Sequence, residues 1–213
     1  MSKYKAVIFD CDGVLVDSEL IGNGVLVDLA NTYGANITLE YALKHFKGNS
    51  MRVCYDKISE LATEKLPDDF VDMYREKSFE AFKSDIKPIK GVENVLNNLD
   101  LPYCVASSGP ENKIRLNLEL TGLLPYFEGK IFSCYAIQKW KPDPSIFLLA
   151  AEAMNVSPKD CLVIEDSLLG IEAANRGGFD VFAYTEHDYN DELSEKSTAD
   201  FDNMADLVKM IYI

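Results

Sequence analysis

The sequence predicts an α/β protein: a parallel sheet covered by helices and interrupted by an inserted block of helices. Three observations carry this. Ala6 to Phe9 are apolar without alternation, as in a strand buried on both faces of a parallel sheet, and the run ends in Asp10-Cys11-Asp12-Gly13. From Tyr103 onward, short apolar strands alternate with amphipathic helices, the pattern of βαβ units. Between these regions, four helical patterns follow one another from about Val16 to Lys87 with no strand among them.

Taken in order, Val14 to Glu19 read as an irregular connection leaving the first strand. Leu20 to Tyr33 form an amphipathic helix stopped by Gly34, with Leu26, Leu29, Ala30 and Tyr33 on its inner face. Thr38 caps a second helix to about Phe46 and Ser50 a third from Met51 to Thr63, leaving Lys47-Gly48-Asn49 as a short polar loop. A fourth runs from Asp69 to Lys83, and Pro88-Ile89-Lys90-Gly91 marks the return. Tyr103 to Ala106 make a strand; Pro110 is expected as an early helical residue, in a helix that reaches Leu120 before Gly122. Lys130 to Phe132 give another strand. Asp143-Pro144 start a helix through Met154, with Phe147, Leu148, Ala151 and Met154 sharing a face. Cys161 to Ile164 form a buried strand ending in Glu165-Asp166-Ser167, followed by a helix to Arg176 closed by Gly177-Gly178. Val181 to Tyr184 make a fifth strand, Asp188 to Ala199 are expected to loop over the surface, and the last helix begins near Met204.

A chain of 213 residues that is 47% apolar can bury a sizeable core. It has no run of eighteen apolar residues and no signal-peptide pattern at its amino terminus, so a cytoplasmic protein that does not enter the membrane is expected. Five cysteines, odd in number and mostly within apolar runs, read as reduced buried thiols. The formal charge of −14 opposes binding to nucleic acid or anionic membrane.

Parallel strands bring their carboxyl ends to one edge, where open α/β sheets bind ligands. Here that edge carries Asp10 and Asp12, Ser107 and Ser108, and Glu165 and Asp166. Clustered carboxylates invite a hard cation with oxygen ligands, so Asp10, Asp166 and a backbone carbonyl near Asp12 make a candidate magnesium site, with Asp12 and Glu165 beside it. Ser107 precedes a helix amino terminus that favours an anion. Lys141 is held extended by Pro142 and can be aimed at the site.

In combination these residues resemble the haloacid dehalogenase superfamily. Asp10-Cys11-Asp12-Gly13-Val14-Leu15-Val16-Asp17-Ser18 resembles its first motif, Val105-Ala106-Ser107 its second, Lys141-Pro142-Asp143-Pro144 its third and Ile164-Glu165-Asp166-Ser167-Leu168-Leu169-Gly170-Ile171 its fourth. The resemblance implies a Rossmann-like three-layer core (residues 1–15 and 88–213), an inserted four-helix C1 cap (16–87), and Mg2+-dependent phosphoryl transfer through an aspartyl phosphate. Asp10 would be the nucleophile, Asp12 the general acid–base, and Lys141 and Ser107 the ligands of the phosphoryl oxygens. Asp12 favours phosphate chemistry, because the superfamily's dehalogenases lack an acid there. Lys47, Gly48, Asn49 and Ser50 of the cap, with Ser108 and Gly109 of the core, would contact substrate.

Two relatives within the superfamily are distinguished by two positions. The β-phosphoglucomutase-like enzymes carry a histidine and an arginine where this chain has Gly22 and Met51, which argues for hydrolysis. The segments Ser107 to Lys113 and Phe132 to Pro144 look like those of bacterial 6-phosphogluconate phosphatases, and that resemblance alone supplies the substrate. A small phosphorylated metabolite is the expected partner of a monomer or weak homo-oligomer. The contrasting reading, a catalytically silent phosphate-binding protein, is opposed by the intact pair Asp10 and Asp12.

Overall fold

β1 (Ala6–Phe9) is fully buried at the centre of a six-stranded sheet. The computed structural model describes residues 2–212, so residues 1 and 213 of the expected core lie outside the described residues. On one side of β1 stand β2 (Tyr103–Ser107) and β3 (Ile131–Ser133); on the other stand β4 (Cys161–Glu165), β5 (Asp180–Tyr184) and β6 (Ala199–Phe201). Every pairing is parallel. The order β3-β2-β1-β4-β5-β6 reverses its winding between β1 and β4, and a doubly wound sheet opens its ligand crevice at such a switch. β6 corrects the expected loop: 188–198 cross the surface, but Ala199–Phe201 add an edge strand too short to show a period of two.

The insert consists of α1 (Glu19–Asn31), α2 (Leu39–His45), α3 (Met51–Leu61) and α4 (Phe70–Asp85). Its helices bury their own cluster, including Leu26, Ala30, Ala42, Phe46, Ile58 and Phe70. Thr38 and Ser50 cap as expected, accepting hydrogen bonds from the Tyr41 and Val53 N–H groups. The two connections to the core run side by side: Asp17 N–H donates to the Lys87 carbonyl and Ile89 N–H to that of Leu15, both at 2.9 Å.

Alternation along the strands assigns the two faces of the sheet. Val7, Phe9, Val105, Leu162 and Ile164 point toward α5 (Val92–Asn98), α6 (Glu111–Leu120) and α7 (Leu124–Phe127). Ala6, Ile8, Cys104, Ala106 and Val163 point the other way, onto α8 (Cys134–Ile137), α9 (Ser145–Ala153) and α10 (Leu168–Gly177). α11 (Leu207–Ile211) joins the first layer. Two expectations are corrected here. Pro110 is the extended residue before α6, with ψ at 148°, because the chain is still turning out of the strand. Leu148 points to solvent at 39% exposure, and α9 buries Ile146, Phe147, Ala150 and Ala151 instead. The five cysteines are free and buried, as expected, and no helix among the described residues is long and apolar enough to cross a membrane.

Candidate active site

Strand parity brings the first three groups together. Asp10 continues the face of Ala6 and Ile8, and Glu165 that of Cys161 and Val163, so both carboxylates turn toward the α9 layer. Lys141, in the turn before α9, rises between them and donates at 2.6 Å to both Asp10 Oδ1 and Glu165 Oε1. All three are buried. Glu165 Oε2 accepts from the Asp166 N–H, the Ser167 N–H and the Ser167 hydroxyl, each at 2.9 Å. Both its oxygens are therefore taken, and the residue orients Lys141. Gly170 makes room for it, since a Cβ there would fall on the Glu165 carboxylate.

Burial pushes the Asp10 carboxyl well above its ordinary range; Lys141 opposes this, while Glu165, Asp166 and Asp12 add to it. Burial works against the Lys141 ammonium too, but Asp10 and Glu165 outweigh it and hold the lysine charged.

Gly13, at φ +77°, turns the chain into a single tight loop in which Leu15 and Val16 N–H groups both return to the Cys11 carbonyl. That loop presents Asp12 away from Asp10's partners. Asp12 accepts from Lys113 Nζ at 2.9 Å and from the Ser18 hydroxyl at 2.5 Å. Burial would raise its carboxyl, but Lys113 and Ser18 prevail and hold it below the usual range. Asp12 is thus a carboxylate, outside the group formed by Asp10, Glu165 and Asp166. Lys113 escaped the sequence reading. The available signal was its place one turn into the helix after Ser107. Ser107 is buried and its hydroxyl accepts from Gly109 N–H at 3.0 Å, while the Gly109 carbonyl accepts from Ser133. Ser108 and Gly109 line the cavity.

The loop between α2 and α3 docks on the core. Gly48, at φ +73°, lies so close that a Cβ would stand 2.9 Å from that of Ser167. Lys47 reaches past it to Asp166 Oδ2 at 2.8 Å and to the His187 carbonyl at 2.9 Å. Its ammonium is therefore turned to an acid of the core. Asn49 and Ser50 line the cavity, but Asn49 donates to the His45 carbonyl and Ser50 caps α3. Arg75 and Tyr74 of α4 and Tyr135 of α8, absent from the sequence reading, also line it. The signal in α4 was polar Arg75 and Ser78 at helical spacing with Phe79 and Phe82.

Five carboxylates (Asp10, Asp12, Glu19, Glu165, Asp166) line this cleft with Lys113, Lys141 and Arg75, and Lys47 reaches Asp166 from beside it, so acids outnumber cations by one. Glu19 registers the excess. Burial first and Asp166 second push its carboxyl up to about 7. A divalent cation fits this deficit. Oxygens of Asp10, Glu165 and Asp166 lie within 4.8 Å of one another, and Asp10 keeps one oxygen free of Lys141. Two carboxylates completed by water and substrate oxygens is the ligand set magnesium takes.

The haloacid dehalogenase-like hydrolase family matches over residues 7–184. The chain is 33% identical over 211 residues to the 6-phosphogluconate phosphatase of Escherichia coli (strain K12), spanning 99% of this chain and 96% of that one. It is 30% identical over 191 residues to a phosphorylated carbohydrates phosphatase of Thermotoga maritima, spanning 88% of each. The crystal structure of a haloacid dehalogenase-like protein of unknown function from Agrobacterium tumefaciens str. C58 superposes with a TM-score of 0.86 at 30% identity over 98% of both chains.

Proposed function

The chain belongs to the haloacid dehalogenase-like hydrolase family, and from that premise we propose that it is a magnesium-dependent phosphatase of small phosphorylated sugars. Its leading substrate is 6-phosphogluconate, which the E. coli relative is named for. The observation that carries the reading is Lys141 bound between Asp10 and Glu165 at the switch point, with Asp12 held apart on Lys113. One carboxylate is free to attack while the other manages protons.

In this mechanism a free oxygen of Asp10 attacks phosphorus, and the ester P–O bond breaks. Asp12, ionised on Lys113, takes up a proton from solvent as the anionic substrate enters and gives it to the departing alkoxide. It then takes a proton from the water that displaces Asp10 and releases inorganic phosphate. Lys141, the Ser107 hydroxyl and the N–H groups after Asp10 hold the equatorial oxygens. Asp10 and Asp166 would hold magnesium, which would supply positive charge to the transferring group. Residues 16–87 act as a cap on the core of 1–15 and 88–213, hinged at the paired connections around Val16 and Pro88.

Hydrolysis is favoured over mutase chemistry by one detail of α1. A Cβ at Gly22 would stand 3.3 Å from the Tyr74 hydroxyl, so Tyr74 fills the place above this position, and Met51 adds an apolar wall. Free cysteines and a small-metabolite substrate fit a cytoplasmic enzyme, and a site complete within one chain fits a monomer or weak oligomer. Magnesium-dependent release of phosphate from para-nitrophenyl phosphate and from a panel of sugar phosphates tests the proposal. No release from any of them would end it.

A further inference from the structure

We propose that Arg75 reads the end of the substrate remote from its phosphate and selects for an anionic group there. This rests on the phosphatase reading above and deepens it, because it replaces a named substrate by a chemical class: open-chain sugar phosphates that carry a carboxylate.

The three lysines of the cleft are already committed. Lys141 lies between Asp10 and Glu165, Lys113 is bound to Asp12, and Lys47 is bound to Asp166. Arg75 differs in what it holds and in where it stands. It lies on α4 and lines the cavity from the insert. Its guanidinium donates to Asp72 at 3.3 Å and to the Tyr135 hydroxyl at 3.2 Å, so three of its five N–H groups remain free. The Asp72 side chain is 79% exposed, and an ion pair with so exposed a partner yields readily. Tyr135 is the firmer support. Its ring lies 5.6 Å from the guanidinium and packs edge-on against Trp140 at 5.3 Å, which fixes the platform to the core.

Charge decides where an anionic end can go. Around the reacting carboxylates the acids outnumber the lysines, so a second anion is repelled there. The insert wall also carries Asn23, Tyr74 and Ser78, which can meet hydroxyls, but among the described residues Arg75 is the one cation it turns to the cavity. A planar guanidinium with free N–H groups, already oriented by an aromatic face, is suited to bidentate binding of a carboxylate. A neutral polyol in the same position can accept single hydrogen bonds but brings no charge to set against the guanidinium.

The test compares kcat/KM for 6-phosphogluconate and sorbitol 6-phosphate, open-chain partners that differ at one end in carboxylate against alcohol. The wild-type chain is expected to favour the acid. Arg75→Ala should lower that preference by about tenfold to a hundredfold, the scale of a charge-assisted contact. Arg75→Lys should restore part of it. Tyr135→Phe removes only the hydroxyl, so it should shift the preference in the same direction by less. Equal loss on both substrates in Arg75→Ala would make the residue a clamp between insert and core and overturn the proposal. So would a wild-type chain without preference for the acid, a result that needs no variant to fold. If neither compound nor para-nitrophenyl phosphate is hydrolysed, the phosphatase reading has failed instead. Thermal shifts with the same two compounds then decide the Arg75 proposal, which falls if both bind wild type alike.

Discussion

Lys141 is the one cation shared by two buried carboxylates, so its removal is felt in the fold as well as in the reaction. Lys141→Ala leaves Asp10 and Glu165 buried without a cation, and breaking such a group costs about 3–5 kcal/mol. Urea denaturation in the absence of magnesium is expected to show that loss, together with undetectable turnover; unchanged stability would contradict the assigned pairing. Asp10→Asn is expected to abolish turnover while the chain stays folded, since the amide keeps the shape but cannot attack phosphorus. Asp12→Asn should cost about 10²–10⁴ in rate, the scale of a lost general acid–base group. Asp10 and Asp12 could be read from the sequence because a buried strand ran straight into them. The separate role of Glu165 could not. Two adjacent acids look alike in sequence, and only strand parity and the closing of Gly170 against Glu165 turn one toward Lys141 and leave the other on Lys47.

At the level of elements, the loop between α2 and α3 and the amino end of α1 couple the insert to the core. Gly48→Ala would have to adopt φ +73° and push against Ser167, so the loop should lift from the core. Hydrogen exchange in residues 46–50 is expected to rise, with a fall in kcat/KM, while the sheet amides keep their protection. Faster exchange throughout the sheet would instead place the damage in folding. Glu19, in the first turn of α1, carries a pH dependence whose sign follows from its neighbours. Asp166 and Asp12 face it as anions, Lys47 and Lys113 as cations, and burial outweighs the cations. A carboxyl raised to about 7 in the folded chain keeps its proton where the unfolded chain, near 4.5, has lost it. Stability is then greatest below about 4.5 and falls as pH rises through 7. Thermal midpoints of Glu19→Gln without metal should fall less between pH 5 and pH 8 than those of wild type; parallel curves would remove Glu19 as the source. The four helices of the insert were legible from period and caps, whereas α8 and β6, four and three residues long, are too short for any period to declare them.

Over the whole chain, Asp10, Asp12, Glu165 and Asp166 converge where the sheet reverses its winding, and this links metal binding to stability. Five of the six strands and the helical insert were legible because apolar runs and caps are local signals. The charge excess in the cleft was not, since it depends on which lysines reach Asp12, Asp10 and Asp166 from sites as distant in sequence as Lys47, Lys113 and Lys141. A divalent cation that binds the folded chain alone stabilises it by RT ln(1 + [L]/Kd), about 2.7 kcal/mol at a hundredfold excess over Kd. For a chain of this size that corresponds to a rise of about 5–10 °C in Tm. Magnesium is expected to produce such a rise at pH 8, where the carboxylates are ionised, and a smaller one at pH 5. Asp166→Asn should remove most of the rise. Because Lys47 occupies an oxygen of Asp166, Lys47→Ala should strengthen magnesium binding, read as a larger shift at limiting magnesium. A Lys47→Ala chain with a weaker response would mean that the lysine helps to build the metal site, and the competition inferred from its 2.8 Å contact would be withdrawn.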